Sequence, residues 1–183
     1  EELQKKKLVC GVRRLLQSEP VGYALQPEFV NGVATLERFG LPFDICVNHT
    51  QLADVVQLVD RCPGVRFVLD HLGKPDIKAQ ALHPWKEHLA DLADHPNVYC
   101  KLSGMVTEAD HDAWVPGDLL PFIEHAVECF GTARLMFGGD WPVSTLAASY
   151  EKWIDTLFNC LSHLDDSELD RVFCRNAEEF YSV

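Results

Sequence analysis

Short apolar or β-branched runs alternate with stretches of helical periodicity along the whole chain. The runs Leu8–Arg13, Phe43–Asn48, Val65–His71, Val98–Ser103 and Leu135–Asp140 carry few polar residues until their last positions, the pattern of strands covered on both faces. The stretches between them have helix start and stop signals. Glu28–Phe39 follows Pro27 and ends at Gly40, a residue suited to the left-handed stop of a helix. Thr50 is placed to cap Gln51–Arg61, which Pro63 and Gly64 close. Pro84–Ala93 and Gly117–Phe130 follow, the second stopping at Gly131. Ser144 is placed to cap a long helix through Leu161, and Asp166 or Ser167 to start a last one through Cys174. The irregular stretch Met105–Pro116 follows a strand and reads as a lid or active-site loop.

Strands that each lead into a helix predict parallel βα units, and strand ends recur about every 23 to 37 residues, the scale of such units. No linker or low-complexity segment interrupts them, so residues 1–183 read as one domain. The pattern fits an open α/β sheet of five strands. It also fits an incomplete (β/α)8 barrel of about five units, since a closed barrel takes about 250 residues. The chain begins at Glu1 rather than Met, in mid-alternation, which predicts a fragment or processed form of a longer protein.

Composition narrows the partners. A formal net charge of −12 counts against nucleic acid and against anionic membrane surfaces. No apolar run approaches the roughly 18 residues of a membrane span, and Glu1–Lys7 lacks the apolar centre of a signal peptide. The seven cysteines are scattered and never form a CxxC pair. That argues for free thiols in a reducing compartment rather than a disulfide framework or a zinc finger. A cytoplasmic protein acting on a small molecule is the expectation, with oligomeric state left open.

In parallel α/β folds ligands bind beyond the C-terminal ends of the strands. Those ends carry Arg13 and Arg14, Asn48 and His49, Asp70 and His71, Lys101 and Ser103, and Asp140 before Trp141-Pro142. Each has a plainer reading. Asp140 suits a turn or helix cap, His71 a packed and hydrogen-bonded ring, and His49 a cap of the following helix. Only one of Arg13 and Arg14 can face the inside of a barrel. Lys101 and Ser103 share one strand face, where an ammonium needs a partner. His83, His88, His95, His111, His125 and His163 read as surface residues. No GxxxxGK[ST] or GxGxxG spacing occurs.

Four ordered motifs carry a resemblance: Gly11-Val12-Arg13, Phe67 through Pro75 around Asp70-His71, Cys100 through Gly104, and Leu135 through Pro142. With Asn176-Ala177 and Phe180-Tyr181 at the end, the chain resembles the amidohydrolase-2 family throughout. The resemblance implies a (β/α) barrel, with this chain supplying its fourth to eighth strands. It further implies hydrolysis of a small cyclic ester, sugar lactones of the L-fuconolactone kind being the best-known substrates of the nearest branch. It makes Asp140 and His71 the catalytic candidates and Arg13 a substrate-holding residue; the strand-end reading adds Lys101 as a second substrate-holding residue and Asn48, His49 and Trp141 as lining of the sugar pocket. Asp140 would act as general base and His71 would polarise the carbonyl.

The resemblance leaves the cofactor open between none and one divalent metal such as zinc. His71 and Asp140 are the two candidate ligands, where catalytic zinc takes three from protein. The family's opening-strand His-x-His pair is not present in this sequence. Two other readings stay open: a truncated, non-catalytic form or interaction partner, and a metal-dependent decarboxylase of the same superfamily.

Overall fold

The computed structural model describes residues 9–183, so Leu8, the expected start of the first strand, lies outside the described residues. Strands β1 (Val12–Leu15), β2 (Phe43–Cys46), β3 (Phe67–Leu69), β4 (Val98–Leu102) and β5 (Leu135–Phe137) form one sheet in sequence order. Every neighbouring pair is parallel. Helices α1 (Pro27–Ala34), α2 (Leu52–Arg61), α3 (Trp85–Ala93), α4 (Pro116–Phe130) and α5 (Tyr150–Cys160) alternate with these strands. Short α6 (Asp166–Asp170), a π-helical turn over Arg171–Arg175 and α7 (Asn176–Tyr181) complete the described chain. The architecture is an incomplete (β/α)8-type barrel of five units, one of the two arrangements that the strand periodicity allows and the one that the family resemblance implies.

Strand alternation divides the core in two. Phe43, Ile45, Phe67, Leu69, Val98, Cys100, Leu102 and Leu135 face the helices and join the main core with Trp85, Phe122 and Trp153. Val68 and Met136 face the other way, inside the arc, where α7 lays Phe180 on them beside Tyr99. The C-terminal helix thus floors the barrel interior. Asn176 anchors it, its buried side-chain amide donating to the carbonyls of Thr132 and Leu135 at 2.7 Å each.

Several predicted boundaries move, each for a local reason. Glu28–Phe39 divides into α1 and a 3₁₀ turn over Thr35–Phe39, still ending on a left-handed Gly40. Thr50 does not cap the next helix: its hydroxyl donates to Asn48 Oδ1 at 2.6 Å. Instead the Gln51 side chain reaches back to accept from the Asn48 backbone N–H at 3.1 Å. Ser144 is buried in a 3₁₀ turn, and α5 is capped by Ser149, whose Oγ accepts from the Lys152 N–H at 3.1 Å. The last segment is capped by Asp165, in a reciprocal capping box with Glu168, and runs past Cys174 to Tyr181.

His125 is not a surface residue. Its ring packs on Trp85 with centroids 5.5 Å apart, and Nε2 meets the Lys86 carbonyl at 3.0 Å. Met105–Pro116 is a packed segment rather than a free lid, with Met105, Val106, Ala109 and Trp114 buried.

Candidate active site

The chain leaves β3 and β5 through backbone that side chains rarely adopt, and that backbone places His71 and Asp140. After β3, His71, Leu72, Gly73 and Lys74 all have positive φ, between 50° and 69°. After β5, Asp140 does the same at φ 49°. For a residue with a Cβ, each such conformation costs on the order of 1–2 kcal/mol. Surrounding packing over-determines these turns. Trp85 on α3 donates its indole N–H to the Leu72 carbonyl at 2.7 Å. Trp153 on α5 does the same to Gly138 at 2.9 Å, and Trp114 to Ala147 at 2.9 Å. Three tryptophans therefore hold the loops around the site, and the fourth, Trp141, stands 71% exposed beside Asp140.

His71 is buried at the centre. Its Nδ1 shares a 2.7 Å hydrogen bond with Ser103 Oγ at the end of β4, and its Nε2 faces Asp140 Oδ1 at 3.7 Å. Burial pushes the imidazole down to about 4, helped by the positive charges of Lys74, Arg13 and Lys101 and opposed by Asp140. His71 is thus neutral at neutral pH. The Ser103 hydroxyl, able to donate or accept, can serve either ring tautomer. Glycines make the close approach possible: a Cβ on Gly104 would sit 2.5 Å from His71 Nδ1, and one on Gly138 would sit 2.7 Å from Ser103 Cβ.

Around this pair, among the described residues, Arg13, Lys74 and Lys101 each have a carboxylate partner. Arg13 Nε lies 3.1 Å from Asp70 Oδ2, and Lys101 Nζ lies 2.9 Å from Asp70 Oδ1. These are close charge contacts without the alignment of hydrogen bonds. Lys101 also donates to Asp44 Oδ2 at 2.6 Å, and Lys74 pairs with Glu108 at 2.9 Å. Arg14 turns away to Glu19, so of the adjacent arginines Arg13 is the one that faces the site. His49 Nδ1 meets the Lys74 carbonyl at 3.0 Å, packing the β2 loop against the turn that carries His71. Asn48 donates to the Gln17 carbonyl at 3.3 Å.

The structure thus brings His71, Asp140, Arg13 and Lys101 into one cluster, with His49 and Trp141 at its margin and Asn48 one loop away. Sequence reasoning missed Asp44 and Tyr181. Tyr181 OH donates to Asp44 Oδ2 at 2.7 Å across 137 positions of sequence. An apolar strand interrupted by one acid, Phe43-Asp44-Ile45, was the available signal for Asp44.

Donors for a metal are partly in place. His71 Nε2 and Asp140 Oδ1 converge at a separation one ion can bridge. Cys46, Asp70 and His71 also have ligand atoms within 4.8 Å of one another. That second set is a poor one: Asp70 is engaged by two cations, and burial pushes the Cys46 thiol up. His71 and Asp140 therefore fit two corners of a divalent site, short of the three protein ligands usual for catalytic zinc.

The amidohydrolase family model matches residues 1–183. This chain belongs to the amidohydrolase family. It is 42% identical over 153 residues to an L-fucono-1,5-lactonase of Burkholderia multivorans, an alignment covering 78% of this chain and 52% of that protein. It is 37% identical over 181 residues to the enzyme of that name from Burkholderia ambifaria, covering 94% and 61%. A crystal structure of an amidohydrolase from Burkholderia multivorans with bound zinc superposes with a TM-score of 0.90 at 36% identity, covering 94% of this chain and 64% of that one. The chain thus spans 52% to 64% of the length of these amidohydrolase relatives. No helix among the described residues is long and apolar enough to cross a membrane.

Proposed function

We propose that this protein hydrolyses a small cyclic ester, an uncharged sugar lactone of the L-fucono-1,5-lactone kind. The observation that carries the reading is the neutral His71 ring facing the Asp140 carboxylate at 3.7 Å, at the mouth of a parallel barrel arc. Asp140 takes a proton from water as it attacks the lactone carbonyl, work worth roughly 10²–10⁴ in rate. His71, with the Ser103 hydroxyl donating to Nδ1, offers its Nε2–H to the carbonyl oxygen and stabilises the tetrahedral oxyanion. The ring C–O bond then breaks as Asp140 returns the proton it took to the leaving alkoxide, giving the open hydroxy acid. Arg13 holds the substrate at its exposed edge, and the Trp141 face gives the sugar ring an apolar platform.

Charge argues for an uncharged substrate. Among the described residues at the site, Arg13, Lys74 and Lys101 each already have a carboxylate partner. A lactone bearing its own carboxylates would have to displace them. Zinc is bound in the 36% identical crystal structure, and in this chain His71 and Asp140 would hold such an ion. When bound, a divalent ion polarises a carbonyl and makes water more acidic; Ser103 would then accept from Nδ1–H, freeing the Nε2 lone pair. Carbohydrate metabolism in the cytoplasm is the setting this chemistry suits.

The test is release of acid from a panel of uncharged sugar lactones by the purified chain, beside a lactone carrying two carboxylates. Preference for the charged compound would overturn the substrate assignment.

A further inference from the structure

A second polar layer lies beneath the His71–Asp140 pair, inside the arc, and the reaction above makes no use of it. Lys101 leaves β4 and crosses the inner side of β3 to reach Asp44 on β2, touching Asp70 on the way. Asp44 Oδ2 takes two donors, the Lys101 ammonium at 2.6 Å and the Tyr181 hydroxyl at 2.7 Å. Asp44 Oδ1 is buried and accepts no hydrogen bond. Those two donors therefore fix the orientation of the carboxylate. Burial pushes the Tyr181 phenol up, so it remains a donor throughout the neutral range.

Tyr181 stands on the helix that floors the barrel. Phe180 beside it packs on Val68, Tyr99 and Met136, and its carbonyl accepts from Arg66 at 2.7 Å. The Tyr181 ring lies against Gly11, and its centroid is 5.4 Å from Lys101 Nζ. A floor needs only the ring. The hydroxyl adds the bond to Asp44 and a direct contact with the Lys101 ammonium.

We propose that Asp44 and Tyr181 are positioning residues: together they fix the Lys101 ammonium against Asp70, and through Asp70 they set where the Arg13 guanidinium sits. Lys101 is then a relay rather than a substrate ligand. Losing the phenol hydroxyl leaves one donor on Asp44 Oδ2, and Lys101 redistributes between two carboxylates. Asp70, which Lys101 shares with Arg13, shifts its hold on the arginine. The consequence for substrate rests on the lactone reading; the coupling from Tyr181 to Arg13 does not.

Tyr181→Phe tests this with the floor intact, and Asp44→Asn tests it from the other side of the bond. The first readout is ¹⁵N side-chain NMR of the Lys101 ammonium and the Arg13 Nε–H, assigned with Lys101→Arg and Arg13→Lys. Both signals should shift in Tyr181→Phe and Asp44→Asn, with proton exchange faster by about threefold or more. The Lys74 ammonium, paired with Glu108, should stay where it is. Unmoved Lys101 and Arg13 signals in both folded variants would overturn the coupling. The second readout is lactone kinetics, where KM should rise about threefold to tenfold with kcat held within about twofold. Coupled signals with an unchanged KM would overturn the claim that the network serves substrate binding. A chain inert on every lactone would count against the lactone reading and leave the NMR result to decide the coupling.

Discussion

Gly104→Ala adds one methyl group at a point where the packing around His71 leaves no room for it. Gly104 sits at φ 59°, a conformation that costs alanine about 1–2 kcal/mol. The new Cβ would fall 2.5 Å from His71 Nδ1 and 2.7 Å from His71 Cγ. Such distances force the ring or the strand end to move, and overpacking of this kind costs about 1–3 kcal/mol. The expected loss is thus about 2–5 kcal/mol, and Tm should fall by about 4–20 °C for a chain of this size. Urea unfolding followed by circular dichroism, with m held constant, reads it directly. Gly32→Ala is the opposite case, a helical glycine with nothing within 4 Å of an added Cβ, and should stabilise by about 0.5–1 kcal/mol. A loss below about 0.5 kcal/mol in Gly104→Ala, with His71 keeping its bond to Ser103, would refute the crowding.

Lys101→Met leaves Asp44 to the Tyr181 hydroxyl and Asp70 to Arg13, and should cost up to about 3–5 kcal/mol in urea unfolding; a neutral result would mean that these partners and solvent already suffice for both carboxylates. His71, held down to about 4, makes stability depend on pH. Above its unfolded value of about 6.5 both states are uncharged and nothing is lost. Between about 6.5 and about 4 only the unfolded chain takes the proton, so stability falls with pH by at most on the order of 3 kcal/mol. Unfolding at pH 7 and pH 5, set against His71→Asn, checks this; an equal loss in the variant refutes it. Added zinc should raise the Tm of the wild-type chain and not of a His71→Ala, Asp140→Ala double variant. An equal rise in both would place the ion elsewhere.

The parts of the site legible in sequence are polar residues at or near the ends of apolar runs. His71 and Asp140 follow the ends of β3 and β5, while Arg13 and Lys101 lie within β1 and β4, and the parallel sheet presents all four together. The buried charge layer was hidden because its contacts span distance in sequence: Lys101 reaches Asp44 across 57 positions and Tyr181 reaches it across 137. Asp44 drew no reading as one acid in an apolar strand, and Tyr181 entered only through the closing Phe180-Tyr181 motif. Strands β3 and β5 proved shorter than their apolar runs because the chain turns out of the sheet at Asp70 and Gly138, then passes through left-handed backbone at His71 and Asp140. No local propensity announces that at a non-glycine residue. Ser144 resembles a cap as well as Ser149 does, and only packing separates them.

The most direct test of the central claim is hydrolysis of uncharged sugar lactones by this chain beside its Asp140→Asn variant, with circular dichroism showing both folded. The wild type should release acid, and the variant should lose about a hundredfold or more of that activity. A folded wild-type chain that leaves every lactone intact, or a variant within about tenfold of it, would contradict the assignment of Asp140 and His71 as the reacting pair.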